Sequence, residues 1–369
     1  MLTEREAYFW LGALRTLSPA GIRRLLSVFP VPSEIFYADQ GVLMQLVHDG
    51  IMKQETMEEM ISSHNEEEVK QRAEELKKHG YPFVTPVDEE YPELLLEIPD
   101  PPVSLFYQGN LSILSEMPAL AVVGSRSPSL YGKEMAKLFV PPIAAAGVAI
   151  VSGLAGGIDT EAHKMTLNMG KTVGVLGGGI DICYPRQNFN LYLEMCKNHL
   201  VLSEYGPGIP PLPTQFPLRN RIISGLSAGV LVVEAREHSG TRITADAALD
   251  QGRNVYAVPG RVGDIMSEGT NSLIRLGATL VTKPEDILIE MGVYVPKKKK
   301  KGKSGAKKIA PEEQRILDKL SHVPVFIDEL IPQDSGDIQG TFSLLLSMEQ
   351  RGLIRQAMQG YYVRGRNDF

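Results

Sequence analysis

The chain has 369 residues, 43% of them hydrophobic, with a net charge of −6 and a pI near 5.8. That length allows two or three domains and at least one large core, and the acidic balance excludes binding of a polyanion through a basic global field. No apolar run reaches about 18 residues, charged Glu4, Arg5 and Glu6 precede Tyr8-Phe9-Trp10, and the two cysteines, Cys183 and Cys196, make no CxxC pair; a membrane span, a signal peptide, structural zinc and a disulfide scaffold do not fit, and cytoplasmic residence is expected.

Charge is segregated along the chain. Residues 1–112 hold 9 Lys/Arg against 19 Asp/Glu, residues 113–295 hold 15 against 16, residues 296–309 hold 8 lysines and no acid, and residues 310–369 hold 6 against 9. Nucleic acid, if bound, would have to use a local site on the near-neutral middle segment.

Residues 1–80 read as helical, with apolar spacing in REAYFWLGALRTL and a Ser18-Pro19 helix start before AGIRRLLSVF. LSPAGIRRLLSVFP looks like a helical-hairpin or SAM-like module. Its acidic balance and the run Glu66-Glu67-Glu68 favour packing or protein contact over a grip on DNA backbones. A Pro-rich connector follows over 81–112.

Over 113–295 the pattern changes to short apolar strands alternating with helices: ALAVVG, VAIVSG, TVGVLGGG, HLVLSEY, GVLVVEA, NVYAVPG and TLVT. Continuous apolar strands of this kind predict a doubly wound, mostly parallel α/β sheet, Rossmann-like, covered on both faces. Ligands in such sheets sit at the carboxyl ends of the strands, so GSRSPSLYG, SGLAGGID, GGGIDICYPRQN, PTQFPLRN, EAREHSGT and VPG should meet on one rim. Five of these six loops contain glycine, as close backbone approach requires. Residues 296–310, PKKKKKGKSGAKKIA, read as a lysine-rich tether. Residues 311–369 read as three helices and a terminal hairpin, the winged-helix pattern, whose third helix offers only Arg351 at its end; a protein contact is favoured there over base reading.

Familiar site chemistries fail against the residues. The glycines at 153, 156 and 157 and at 174, 177, 178 and 179 do not form GxGxxG opening a helix; Gly170-Lys171-Thr172 precedes a strand and lacks the first P-loop glycine, Met165 standing there. There is no GxSxG and no cysteine paired with a histidine. His163, one turn after Asp159, is expected to make a packing or capping contact with it. No cofactor, metal or catalytic residue is expected. What remains is a rim of amides, hydroxyls, arginines and one aromatic ring. Gly124, Ser125 and Arg126 follow the first strand and would offer amides and a guanidinium near a helix start, a ready anion site. Ser239, Gly240 and Thr241 lead into a helix in the same way. Arg186 lies in YPRQN, and Phe216, Arg219, Asn220 and Arg221 open the helix of QFPLRNRIISGLS. Arginine forks suit phosphates and a ring suits an unpaired base, so these parts fit single-stranded nucleic acid better than a mononucleotide. Arg219 and Arg221 are two apart, so at most one of them can face the pocket squarely.

The motifs VVGSR, IVSGLAGGIDTEAH, GVLGGGIDICYP, LSEYGPG, FPLRNRIISGLS, VLVVEA, SGTRITADAALDQGRNVYAVPG and EGTNSLIRLGA, in that order, closely resemble the DNA-processing protein A family, also called DprA or Smf. The resemblance implies a homodimer that binds single-stranded DNA during natural transformation, displaces or coexists with single-strand-binding protein, loads RecA, and is not an enzyme. By motif it adds Ser152 and Gly153 to the DNA-binding residues above and places the dimer contact around Asn271, Ile274 and Leu280. Several relatives carry Lys or Arg where Pro213 stands, so one phosphate contact implied by the resemblance lacks its usual residue here, with the lysine tether as the alternative source of that charge. The middle domain also resembles, more distantly, nucleoside monophosphate phosphoribohydrolases with the signature PGGxGTxxE. Gly240-Thr241 survives here, but the PGG is absent and Thr244 replaces the catalytic glutamate, which argues against that enzymatic alternative.

Overall fold

The computed structural model describes residues 1–293, 309–321, 323–331 and 338–365. It forms two compact units, Met1–Val295 and Pro296–Phe369. Of the lysine-rich tether expected over 296–310, only Ile309 and Ala310 fall inside the described residues. No helix among the described residues is long and apolar enough to cross a membrane.

The first unit is built on a nine-stranded sheet: β1 (Phe83–Val84), β2 (Leu105–Gly109), β3 (Ala119–Val123), β4 (Ala149–Ser152), β5 (Thr172–Leu176), β6 (Leu200–Ser203), β7 (Gly229–Val232), β8 (Asn254–Ala257) and β9 (Thr279–Leu280). Their order across the sheet is β1-β2-β6-β5-β4-β3-β7-β8-β9. The seven strands from β3 onward are mutually parallel, and β1 and β2 close one edge antiparallel. Strands β3 to β7 are buried at every position because both faces are covered. Alternate residues of β3 serve opposite cores: Ala119, Ala121 and Val123 join the layer holding Ile222, Ile223 and Leu226, whereas Leu120 and Val122 join the layer holding Phe139, Val140 and Ile143.

The helical front shares its core with this sheet. Phe9, on the helix Glu4–Ala13, stacks on Phe83 of β1 with centroids 4.7 Å apart and meets Phe106 of β2 edge-on at 6.4 Å. Arg5 fastens the junction, its guanidinium lying 4.3 Å over the Phe83 ring and pairing with Asp88 at 2.9 Å. The segment that reads as a connector thus supplies the edge strand β1 and its neighbour β2.

In the second unit, the helices Pro311–Lys319, Ile327–Leu330 and Ile338–Gln350 pack with a three-stranded antiparallel sheet, β10 (Val325–Phe326), β11 (Ile354–Met358) and β12 (Tyr361–Arg364), in the order β10-β12-β11. Arg351 is engaged by the buried carboxylate of Glu313. Phe342 and Leu346, one turn apart on the helix Ile338–Gln350, are 50% and 59% exposed.

Candidate nucleic-acid interface

At the carboxyl rim of the parallel strands lies a cleft of about 220 Å³. Its walls come from the loops after β3, β4 and β5 and from the start of the helix Gln215–Gly225, and include Arg126, Gly153, Gly177, Tyr184, Phe216 and Arg219. The loops after β7 and β8 belong to the same rim but do not line the cleft. The cleft therefore sits over β5, β4 and β3, beside the point between β3 and β7 where the strand order reverses.

Glycines build this cleft by admitting protein side chains. A Cβ on Gly177 would come within 2.7 Å of the Phe216 ring, and one on Gly178 within 3.0 Å of Pro211. Phe216 and Pro211 can thus close directly onto the end of β5. A Cβ on Gly153 would stand 2.5 Å from the Arg219 guanidinium, and one on Gly124 would collide with Ile158. The glycine-rich loops are shaped by packing against Phe216, Arg219 and Ile158, and no phosphate cradle is needed to account for them.

Arg219 and Arg221 part company as their spacing requires. Arg219 is only 4% exposed and forms the cleft floor. Its Nη1 donates to the carbonyls of Gly153, at 2.6 Å, and Val175, and its Nε to Asn220 Oδ1 at 3.3 Å. Burial pushes its pKa down to about 10 against the pull of nearby Asp159, so the guanidinium remains charged at neutral pH. Arg221 instead points away from the cleft into a largely buried ion pair with Glu204.

Arg126 is exposed, and its guanidinium lies 5.6 Å from the centroid of Phe216. Gly124 and Ser125 offer less than expected. The start of the helix Leu130–Ala145 is not an open anion site, because the buried carboxylate of Glu234 occupies it and accepts from Ser129 N at 2.8 Å and from Ser129 Oγ. Ser125 N donates to the Glu234 carbonyl, and Ser125 Oγ accepts from Ser127 N. The end of β7 thus fills with its own carboxylate the place where the sequence predicts an external anion.

The remaining expected residues are dispersed. Ser152 is fully buried and its hydroxyl donates to Val122 O at 2.7 Å, so it does not reach the cleft. Arg186 is exposed and does not line the cleft, whereas its neighbours Tyr184, Pro185 and Gln187 do. Asn220 links the cleft floor to the start of the helix Gly240–Asp250, its Nδ2 donating to Gly240 O at 3.5 Å. Ser239 and Gly240 stand at that helix start and Thr241 is buried behind them. Thr244, at the position of the hydrolase glutamate, is 2% exposed.

Among the described residues, His163 makes no hydrogen bond to Asp159. Its Nδ1 donates to Thr172 Oγ1 at 2.7 Å, the Thr172 hydroxyl being committed as a donor to Ile150 O, and its Nε2 accepts from Leu154 N at 3.3 Å. Burial pushes its pKa down to about 3, which makes it a neutral structural linker. Asp159 accepts from Gly153 N at 3.1 Å, and its carboxyl is held above the usual range by burial.

Asn271 is spent on both backbone groups of Gly260, Ile274 is partly buried against the core, and Leu280 lies on edge strand β9, 48% exposed, near Leu276 at 64%.

Residues 82–292 match the family described as DNA recombination-mediator protein A. The chain is 48% identical over 211 residues to the DNA processing protein DprA of Streptococcus pneumoniae, covering 57% of this chain and 74% of that one. It is 45% identical over 204 residues to DprA of Bacillus subtilis, covering 55% and 69% respectively. Among solved structures it is similar to DNA processing protein A from Streptococcus pneumoniae, with a TM-score of 0.66, 38% identity and coverage of 78% and 98%. It is also similar to DNA processing protein A from Helicobacter pylori, described for its single-stranded DNA binding mode, with a TM-score of 0.52, 28% identity and coverage of 57% and 95%.

Proposed function

The chain belongs to the DNA recombination-mediator protein A family, and from that premise we propose that its rim cleft binds single-stranded DNA, in the service of recombination during natural transformation. The observation that carries this reading is the contiguous row of Arg126, Phe216 and Tyr184 above the buried charge of Arg219. A guanidinium beside flat rings supports backbone phosphate and unpaired base together, which is the combination that sequence-tolerant strand binding uses. Double-stranded DNA offers no unstacked base to such a cleft.

The protein acts in this reading as a mediator and not as an enzyme. It loads RecA on the strand, displaces or coexists with single-strand-binding protein, and works as a homodimer through the surface around Ile274, Leu280 and edge strand β9. The uncharged exposure of Phe342 and Leu346 supports a protein contact by the second unit. Burial of Thr244 where the hydrolases place a carboxylate supports the binding role over base release from a nucleotide. Gel shifts with single- and double-stranded DNA of equal length, with and without RecA, test the reading. Preference for the single strand and a ternary complex with RecA are expected; equal affinity for the duplex would defeat it.

A further inference from the structure

Resting on the single-stranded DNA reading of the cleft, we propose that Tyr184 is the platform on which a base is laid, and that Phe216 serves as the support behind it. Sequence reasoning singles out Phe216 as the stacking ring, yet the surroundings of the two rings differ in a way that reverses their roles.

Phe216 is crowded. The edge of its ring closes against Gly177, leaving no room for a Cβ there. Arg126 holds its guanidinium 5.6 Å from the ring centroid, and Tyr184 holds its own ring at the same separation with a 34° tilt. A ring flanked by backbone, a cation and a second ring has little face to offer a ligand.

Tyr184 is 54% exposed at the cleft wall, and its hydroxyl makes no hydrogen bond among the described residues. Its backbone is nevertheless fixed on both sides. Upstream, Ile182 N donates to Gly179 O at 2.8 Å; downstream, Asn188 N donates to Pro185 O at 3.0 Å. The Asn188 side chain in turn donates to Leu154 O and Thr160 Oγ1, each at 2.8 Å, which ties this loop to the neighbouring one after β4. An open ring on a held backbone is pre-organised to receive a base without ordering a loop first. With Arg126 and Tyr184 both beside Phe216 on the cleft wall, a phosphate contact and a base contact are offered next to one another.

The test uses the full chain and two labelled oligonucleotides of equal length, oligo-dT and an abasic strand that keeps the phosphates and lacks bases. Tyr184→Ala is expected to weaken oligo-dT binding roughly 5- to 150-fold, the range that base stacking on one ring supplies, and to leave abasic binding unchanged. Tyr184→Phe should bind oligo-dT within about twofold of the wild type, since the face and not the hydroxyl makes the contact. The thermal midpoint should not move, because the ring is more than half exposed. Wild-type affinity of Tyr184→Ala for oligo-dT would overturn the platform, as would equal losses on both strands. If the wild type bound neither strand, the single-stranded DNA reading itself would fail and the platform with it.

Discussion

Arg219 and Gly153 share one volume: Nη1 of the arginine donates to the Gly153 carbonyl at 2.6 Å, and the guanidinium lies 2.5 Å from where a Gly153 side chain would begin. The N–H of the same glycine donates to Asp159. The two peptide groups flanking the Gly153 Cα are therefore clamped, one by a buried carboxyl and the other by a buried guanidinium, and the cleft floor depends on the absence of a methyl group. Gly153→Ala is expected to displace the guanidinium and lower both stability and strand affinity. Arg219→Ala should cost at least about 1–3 kcal/mol in denaturant unfolding, since it leaves buried carbonyls without a donor. An Arg219→Ala protein as stable as the wild type would show that the clamp is dispensable.

Arg126 behaves as the opposite case. It is exposed and makes no ion pair with a carboxylate among the described residues. Arg126→Ala should leave the unfolding midpoint unchanged while weakening binding to oligo-dT. The slope of log affinity against log salt should fall by about 0.7, the loss of one phosphate contact on a single strand. An unchanged slope would remove Arg126 from the phosphate path.

Ser152 separates the family motif from the cleft. Because its hydroxyl serves Val122 in the sheet interior, Ser152→Ala should cost about 1 kcal/mol of stability and leave strand affinity at the wild-type value. A selective loss of affinity would mean that the β4 end opens on binding.

His163 gives a pH signature. Its folded pKa is near 3, against about 6.5 in the unfolded chain. Between those values the unfolded state binds the extra proton, so this residue's contribution to stability is complete above about pH 6.5 and is lost as pH falls towards 3, at up to about 1.4 kcal/mol per unit. Asp159, whose carboxyl is raised by burial, works in the opposite sense within the acidic range. The clean readout is therefore the difference between wild type and His163→Asn, which should narrow steadily on acidification from pH 7 to pH 4. A constant difference would contradict a neutral buried imidazole.

The sheet was legible in the sequence because β3 to β7 are buried on both faces and so read as unbroken apolar runs. Strands β1 and β2 were not, since one is two residues long and both lie in a Pro-rich stretch whose strand character comes from pairing with β6 and packing on Phe9. Within the cleft, the two-residue spacing correctly divided Arg219 from Arg221 but could not say that the inward one would be buried. Glu234 was invisible as a helix-capping anion because its partner, Ser129, is 105 positions away. Tyr184 lies inside the YPRQN motif, and its signal is an aromatic residue between a glycine-rich strand end and a proline.

Single-stranded DNA is expected to occupy the cleft over β5, β4 and β3. The most direct test is photo-cross-linking of a 4-thiothymidine oligonucleotide to the full chain, with the adducts mapped by mass spectrometry. Adducts within residues 177–187 and 215–219, reduced in Arg126→Ala, are the predicted result. Adducts confined to the second unit, or unchanged in yield and position in Arg126→Ala, would contradict it.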